Sequence, residues 1–417
     1  MQMATLESIC TRVSSGGTPS RKRPEYFTSG TSGHLWVKSK ELLDCSIEDT
    51  EEKITDEGLS NSSAKFYPKN TVLVAMYGAN VGQLGWLRRP ATVNQAICGL
   101  VFDEEKADWR YAFYSLLLNR GDLTVQAQGA AQQNLNQDLI RQFALSLPPL
   151  PVQRRIAGIL SAYDELIENN QRRIRILEEM ARSLYREWFV HFRYPGHETV
   201  PLVDSPLGRI PQGWEIGAIG DFIQFKSGFA FKSGSFTADG EHRLVTIKNV
   251  QDGSFNPESD SLMGELPDKL PPHCILNDGD ILLSLTGNVG RVCLVYDGPF
   301  YLNQRVAKLV PNDAKNWAMT YCMFRDPEMR VKLELLSNGV AQQNLSPVLA
   351  AKMEFVQPPK VLCDRFSDLA EPMIQSVVQL YTSNKNLRRT RDLLLPRLLS
   401  GQVIVAAMES ELSEVST

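Results

Sequence analysis

From Ile156 onward, apolar positions return with a 4,3,4,3 spacing: Ile156, Leu160, Tyr163, Ile167, Asn170, Ile174, Leu177, Ala181, Leu184 and Trp188 share one stripe. A stripe of that period predicts a long amphipathic helix whose seam needs an apolar partner. Moving on by 210 positions gives Phe366, Ala370, Met373, Val377, Leu380, Asn384, Leu387, Arg391, Leu394 and Leu398, a second helix with the same seam. Two such seams in one chain can bury each other, and spacing alone leaves either orientation open. At about 1.5 Å rise per residue, roughly 35 residues span about 50 Å, enough for a rod that fixes the separation of whatever it carries. Asn170 and Asn384 interrupt the seam at different heights, as residues that set register rather than perform chemistry. Pro372 and Pro396 predict a broken or kinked start and a frayed end for the second helix, because proline removes a helix hydrogen bond and crowds the preceding turn. Arg391 at a seam position is a further departure.

The same shift recurs outside the helices. Gly129-Ala-Ala-Gln-Gln-Asn-Leu135 returns as Gly339-Val-Ala-Gln-Gln-Asn-Leu345, Pro148-Pro149 as Pro358-Pro359, and Trp36-Val37-Lys38 as Thr246-Ile247-Lys248. With one or two gap residues, Tyr77-Gly-Ala-Asn-Val-Gly82 answers to Thr286-Gly-Asn-Val-Gly290, and Val93-Asn94-Gln95 to Leu302-Asn303-Gln304. Repetition confined to islands implies one scaffold used twice with different surfaces. Within each copy, residues 71–77 and 280–285 are β-prone runs opening into a Gly/Asn turn, and residues 94–101 and 303–310 follow as strands. Tyr111 to Leu118 and Trp317 to Phe324 predict short aromatic helices. The expected fold is α+β, with two similar mixed α/β domains at 1–150 and 214–359. Spacer helices are expected at 151–190 and 360–402, a turn-rich Pro/Gly connector at 191–213, and a disordered polar tail at 403–417.

Charge on the first helix alternates, with Arg172, Arg173 and Arg175 flanked by Asp164, Glu165, Glu168, Glu178 and Glu179. Such density is expected of a solvated helix surface, with a docking face for partner proteins as the sharper alternative. The formal net charge of −4 means that any attraction to an anionic polymer must come from a local basic face or a basic partner. Seven cysteines without a CxxC pair suit free thiols in a reducing compartment. No stretch offers the ~18 uninterrupted apolar residues of a membrane span, and a cytoplasmic protein is expected. Catalytic equipment is missing from the pattern: there is no phosphate-cradling Gly-x-x-x-x-Gly-Lys-Ser/Thr loop, and the five histidines have no metal-ligand spacing. His273-Cys274 adjoins Pro271-Pro272 and reads as a surface turn rather than a nucleophile with its base. The Pro148-Pro149 and Pro358-Pro359 steps lack the flanking groups of an adenine methyltransferase base pocket, and read as hinges into the helices.

The duplicated plan, the Gln-Gln-Asn-Leu islands before Pro-Pro, Gln153-Arg-Arg-Ile-Ala-Gly-Ile-Leu160 and Leu393-Leu-Leu-Pro-Arg-Leu-Leu-Ser-Gly401 together resemble the specificity subunit of type I restriction-modification systems, over roughly residues 5 to 402. The resemblance implies two target-recognition domains separated by two long helices in an antiparallel coiled coil, and a noncatalytic reader of a bipartite double-stranded DNA site. The implied partners are two adenine methyltransferase subunits and, through the complex, motor-nuclease subunits, with methylation at adenine N6; no cofactor, metal or membrane is implied.

Bases are distinguished mainly by hydrogen bonds in the major groove, so polar loop residues are the reading candidates. These are Arg21, Lys22, Lys38, Ser39, Tyr77 and Asn80 in the first copy, and Lys226, Arg243, Lys248, Asn249, Thr286 and Asn288 in the second. Lys38/Lys248 and Asn80/Asn288 recur between copies and suit backbone contacts or shared structure. Arg21, Lys22, Lys226 and Arg243 do not recur and suit base reading. Gln132, Gln133 and Asn134, with Gln342, Gln343 and Asn344, carry the alternative role of amides that cap loops. An adaptor with duplicated protein-binding domains would share the repeat but keep partner binding after loss of these basic residues. A self-contained methyltransferase-nuclease would modify DNA by itself.

Overall fold

The computed structural model describes residues 2–125, 134–337 and 344–402. The tail at 403–417, together with Gly129, Gln132, Gln133, Gly339, Gln342 and Gln343, lies outside them. The described chain forms two compact units, one running to Ile167 and resuming at Leu387, the other Glu168–Asn386.

In the first unit, the strands Cys10–Ser15, Ile97–Phe102, Val72–Ala75, Leu84–Leu87 and Cys45–Ile47 lie in that order in one sheet. A second five-stranded sheet runs Phe27–Thr28, Lys53–Ile54, His34–Val37, Ala91–Val93 and Phe66–Tyr67. Val72–Ala75 reads as an unbroken apolar run because both of its faces are covered. Alternate side chains of a strand point to opposite faces: Val72 and Val74 enter a cluster with the helices, and Leu73 and Ala75 enter a second cluster with Val37 and Val93. The aromatic helix Trp109–Leu118 starts where the Asp108 carboxylate accepts from the backbone N–H of Arg110 and Tyr111, which satisfies otherwise orphaned donors. It packs Tyr111, Phe113 and Leu116 against Ile156, Leu160, Leu395 and Leu398 of the long helices.

The second unit repeats this construction. Ile223–Ser227, Val306–Pro311, Ile281–Ser284 and Val292–Leu294 form a four-stranded sheet, and Phe236–Thr237, Leu262–Met263, His242–Val245, Phe300–Leu302 and Ile275–Leu276 form the other. The central run again divides its residues, Ile281 and Leu283 to the helix side and Leu282 to the opposite cluster. The aromatic helix is Trp317–Phe324.

The long helices are Leu150–Tyr185, continued by a π-helical turn Arg186–Val190, and Lys360–Leu399. Within the second unit Trp188 meets Phe366, Ile174 meets Val377, and Asn170 meets Asn384, so numbers rise on one helix as they fall on the other and the pairing is antiparallel. Along the seams Ile156, Leu160, Ile167, Ile174, Ala181, Trp188, Phe366, Ala370, Val377, Leu380 and Leu398 are buried, while Tyr163, Leu177, Leu184, Met373, Leu387 and Leu394 are half-buried.

Several sequence expectations are corrected. The second helix runs unbroken through Pro372 and Pro396. Both prolines and the residues four before them, Asp368 and Asp392, are exposed, so the carbonyls that lose a donor can turn to water. Asn170 and Asn384 stand at one height and bond to each other. The turn-rich connector 191–213 is not among these corrections; it holds a short hairpin in which Leu202–Ser205 pairs with Gly208–Pro211, and its Tyr194 stacks on Trp214 at 5.4 Å in the core. Cys274 belongs to the core rather than a surface turn, while the half-buried His273 bonds to the Ser227 carbonyl. The strands expected from Asn94 and Asn303 begin three residues later, at Ile97 and Val306.

Candidate nucleic-acid interface

That delayed start has a local cause. The Asn94 side-chain oxygen accepts from the Ala96 N–H at 3.1 Å, and the Asn303 oxygen from the Arg305 N–H at 3.2 Å. An Asn that closes its own loop in this way competes with strand pairing. In each copy the asparagine is consumed by the turn, while the following glutamine, Gln95 or Gln304, is exposed.

Three repeated islands then converge on one main-chain residue per copy. The Met76 N–H donates to the Ala96 carbonyl at 2.8 Å, and the Met76 carbonyl accepts from the Leu135 N–H at 3.0 Å. In the second copy the Leu285 N–H donates to the Arg305 carbonyl at 3.0 Å, and its carbonyl accepts from the Leu345 N–H at 2.8 Å. A glycine closes the neighbouring edge each time: Gly16 donates to the Ile97 carbonyl and Gly228 to the Val306 carbonyl. A Cβ at Gly16 would stand 1.9 Å from the Val93 oxygen, and one at Gly228 2.3 Å from the Asn303 oxygen, so both positions exclude larger residues.

Around this framework the candidate readers take unlike positions. Arg21 pairs with Glu52 at 2.7 Å and lies over the Phe27 ring at 4.1 Å, with half of its side chain exposed. Its hydrogen bond holds the Glu52 carboxyl below the usual range. Lys22 is exposed and has no ion pair among the described residues. Lys38 is held between Glu51 and Glu52, both at 3.3 Å, and the Ser39 carbonyl accepts from the Asn80 amide at 3.1 Å. Tyr77 is exposed beside Asn80.

In the second copy Lys226 is half-buried on a strand opposite Lys308. Arg243 pairs with Asp297 at 2.7 Å over the Phe300 ring. Lys248 is exposed near Asp260, and Asn288 is exposed in the Gly turn. Thr286 bridges to Asn344. Asn249 is turned inward: its oxygen accepts from Thr246 and its amide donates to the carbonyls of Asn256 and Glu258. That side chain fastens its own loop. Glu52 thus joins Arg21 to Lys38, and the Asn80 amide joins the Gly turn to Ser39 beside them.

A sequence signature described as the type I restriction modification DNA specificity domain matches residues 1–179 and 211–347. The chain belongs to this DNA specificity family. Among curated relatives, the type I restriction enzyme MjaIX specificity subunit of Methanocaldococcus jannaschii is 24% identical over 402 residues, spanning 94% of this chain and 91% of its own length. The type I restriction enzyme EcoBI specificity subunit of Escherichia coli is 20% identical over 366 residues, 83% of this chain and 74% of its own. A crystal structure of a type I restriction-modification system S subunit from M. genitalium shares the fold, with a TM-score of 0.60 at 18% identity and 95% of both chains covered.

Sequence reasoning within this DNA specificity chain overlooked two groups of polar residues. Gln95 and Gln304 were visible inside a repeated island but carried no charge to draw notice. The tyrosine-carboxylate contacts at the long helices left no pattern, since each joins residues far apart in sequence. Tyr114 donates to Asp164 at 2.5 Å, and Arg391 also binds Asp164. Tyr321 donates to Glu178, whose burial raises its carboxyl above the usual range. Asp164 and Glu178 are therefore not part of a freely solvated charge pattern.

Proposed function

We propose that this chain is the DNA-reading subunit of a type I restriction-modification complex, with residues 1–150 and 214–359 as target-recognition domains that each read one part of a bipartite site. The helices at 151–190 and 360–402 set the interval between those parts. Two adenine methyltransferase subunits and motor-nuclease subunits carry out N6 methylation and restriction; the chain itself catalyses neither and works in the cytoplasm. Among the described residues no helix is long and apolar enough to cross a membrane.

The observation that carries this reading is a framework stitched identically at Met76 and Leu285 while the loops around it differ between copies. A protein that meets two different base sequences with one scaffold needs constant support and variable edges, because phosphate contacts position and base contacts specify. Family membership supplies the DNA and the complex.

The test compares adenine methylation in DNA from cells with and without the complete complex, before and after residues 1–150 are exchanged for those of a relative. A two-part methylated motif that changes on one side only is expected. A motif altered in neither part overturns the assignment. Methylation of DNA by the purified chain with S-adenosylmethionine alone would overturn the noncatalytic reading.

A further inference from the structure

We infer that Gln95 and Gln304 form a matched pair of sequence-independent contacts to the DNA sugar-phosphate backbone, one in each recognition domain. This rests on the DNA-reading function proposed above and adds which groups bind what the two half-sites have in common.

The argument starts from what the scaffold does not need. In both copies the preceding asparagine closes the turn, and the next main-chain carbonyl, of Ala96 or Arg305, is tied to the framework residue. Both turns are thus held rigidly and in the same way. The glutamine side chains project from them into solvent; Gln95 takes a hydrogen bond from Thr18, and Gln304 makes no side-chain hydrogen bond among the described residues. Buried scaffold amides such as Asn249 are exhausted internally, whereas these two keep donors and acceptors to offer.

Repetition then selects the ligand. Two domains that read different bases cannot share a base-reading group without reading the same base, so a presented group common to both suits the common part of the duplex. Amide side chains and open backbone N–H groups are ordinary partners of phosphate and sugar oxygens. The neighbouring Gly turns fit close approach: Gly78 and Gly287 are exposed at φ +81° and +74°, and a Cβ at Gly78 would meet nothing within 4 Å. Protein-docking surfaces usually have an apolar or aromatic centre. Here Tyr77 in one copy is answered by Thr286 in the other, so no apolar centre is held in common.

The experiment uses the full chain in its complete complex with the methyltransferase subunits, and fluorescence anisotropy on two labelled duplexes. One carries the motif mapped by methylation; in the other both half-sites are scrambled. Gln95→Ala and Gln304→Ala are each expected to weaken both duplexes by about fivefold, the scale of one lost hydrogen bond, with their ratio unchanged. Thermal melting should match the wild type, since both side chains are exposed. Gln304→Glu should weaken binding further at low salt, with a deficit that shrinks as salt screens its repulsion from phosphate.

A loss confined to the motif duplex would make these base readers and overturn the inference. So would unchanged DNA affinity, or variants that no longer co-purify with the methyltransferase subunits, the sign of a protein-docking role. If the wild-type complex binds neither duplex, the recognition function falls with it. If the wild type discriminates and the variants match it, only this inference falls.

Discussion

The Asn170 amide nitrogen donates to the Asn384 side-chain oxygen across 2.9 Å, with both residues buried between the long helices. Shifted by the repeat of 210 positions, Asn170 corresponds to Leu380 and Asn384 to Ile174, and those two sit together in an apolar cluster with Val377. One polar layer thus lies beside the apolar layer that is its repeat equivalent. Inside a seam, such a pair favours the alignment that lets the amides meet.

Asn170→Leu is expected to lower stability by about 1–3 kcal/mol, because Asn384 loses its amide partner in a buried site. The double variant Asn170→Leu/Asn384→Leu should cost clearly less than the sum of the two single changes. Equilibrium denaturant unfolding of all four proteins measures the coupling, and strict additivity would show that the bond has no energetic role.

Arg391, a charged residue at a seam position, is held by Asp164, which also takes the Tyr114 hydroxyl. Arg391→Ala should destabilise by about 2 kcal/mol, below the usual range for a broken buried pair because both side chains keep some exposure. Arg391→Met combined with Asp164→Leu should recover much of the loss, since it removes both charges at once. Thermal denaturation of the single and double variants decides this.

Burial raises the Glu178 carboxyl above its ordinary value, against the opposing pull of the Tyr321 hydroxyl, Arg325 and Arg182. The folded state therefore holds this proton more tightly than the unfolded chain does. Its contribution to stability is full below the ordinary glutamate value of about 4.3 and is lost as pH rises through the raised folded value. The stability advantage of wild type over Glu178→Gln should accordingly shrink as pH rises through that window. Urea unfolding of both proteins across a pH series tests the sign, and a difference that grows with pH would contradict it.

Arg21 and Asn249 should behave oppositely. Arg21 is half exposed in a surface ion pair, so Arg21→Ala should change stability by less than about 1 kcal/mol. Its effect should fall on recognition, at about 1–3 kcal/mol of discrimination between bases. Asn249→Ala strands loop groups that its amide now satisfies and should cost about 2 kcal/mol of stability. Melting together with methylation mapping separates the two, and equal specificity after loss of Arg21 removes it from the interface.

The parts legible in sequence were those written as period or repetition. The seam from Ile156 to Trp188 announced a helix because its apolar residues recur on one face, and the duplicated islands announced duplicated domains. Contacts between distant residues carry no such mark. Nothing local to Glu178 signals that Tyr321 will bond to it, and nothing local to Asn249 distinguishes an amide spent on its own loop from one available to DNA. Pro372 and Pro396 misled because their effect depends on which side of the helix faces water, and that is set by packing.

The stitches at Met76 and Leu285 are made entirely by peptide groups, and the two residues differ in side chain without altering the bonds. Main-chain atoms are the same in every residue. Loop side chains around the junction can therefore be exchanged during evolution, or by an engineer, without unpicking the support beneath them. Such a construction can acquire new vocabulary while keeping its grammar.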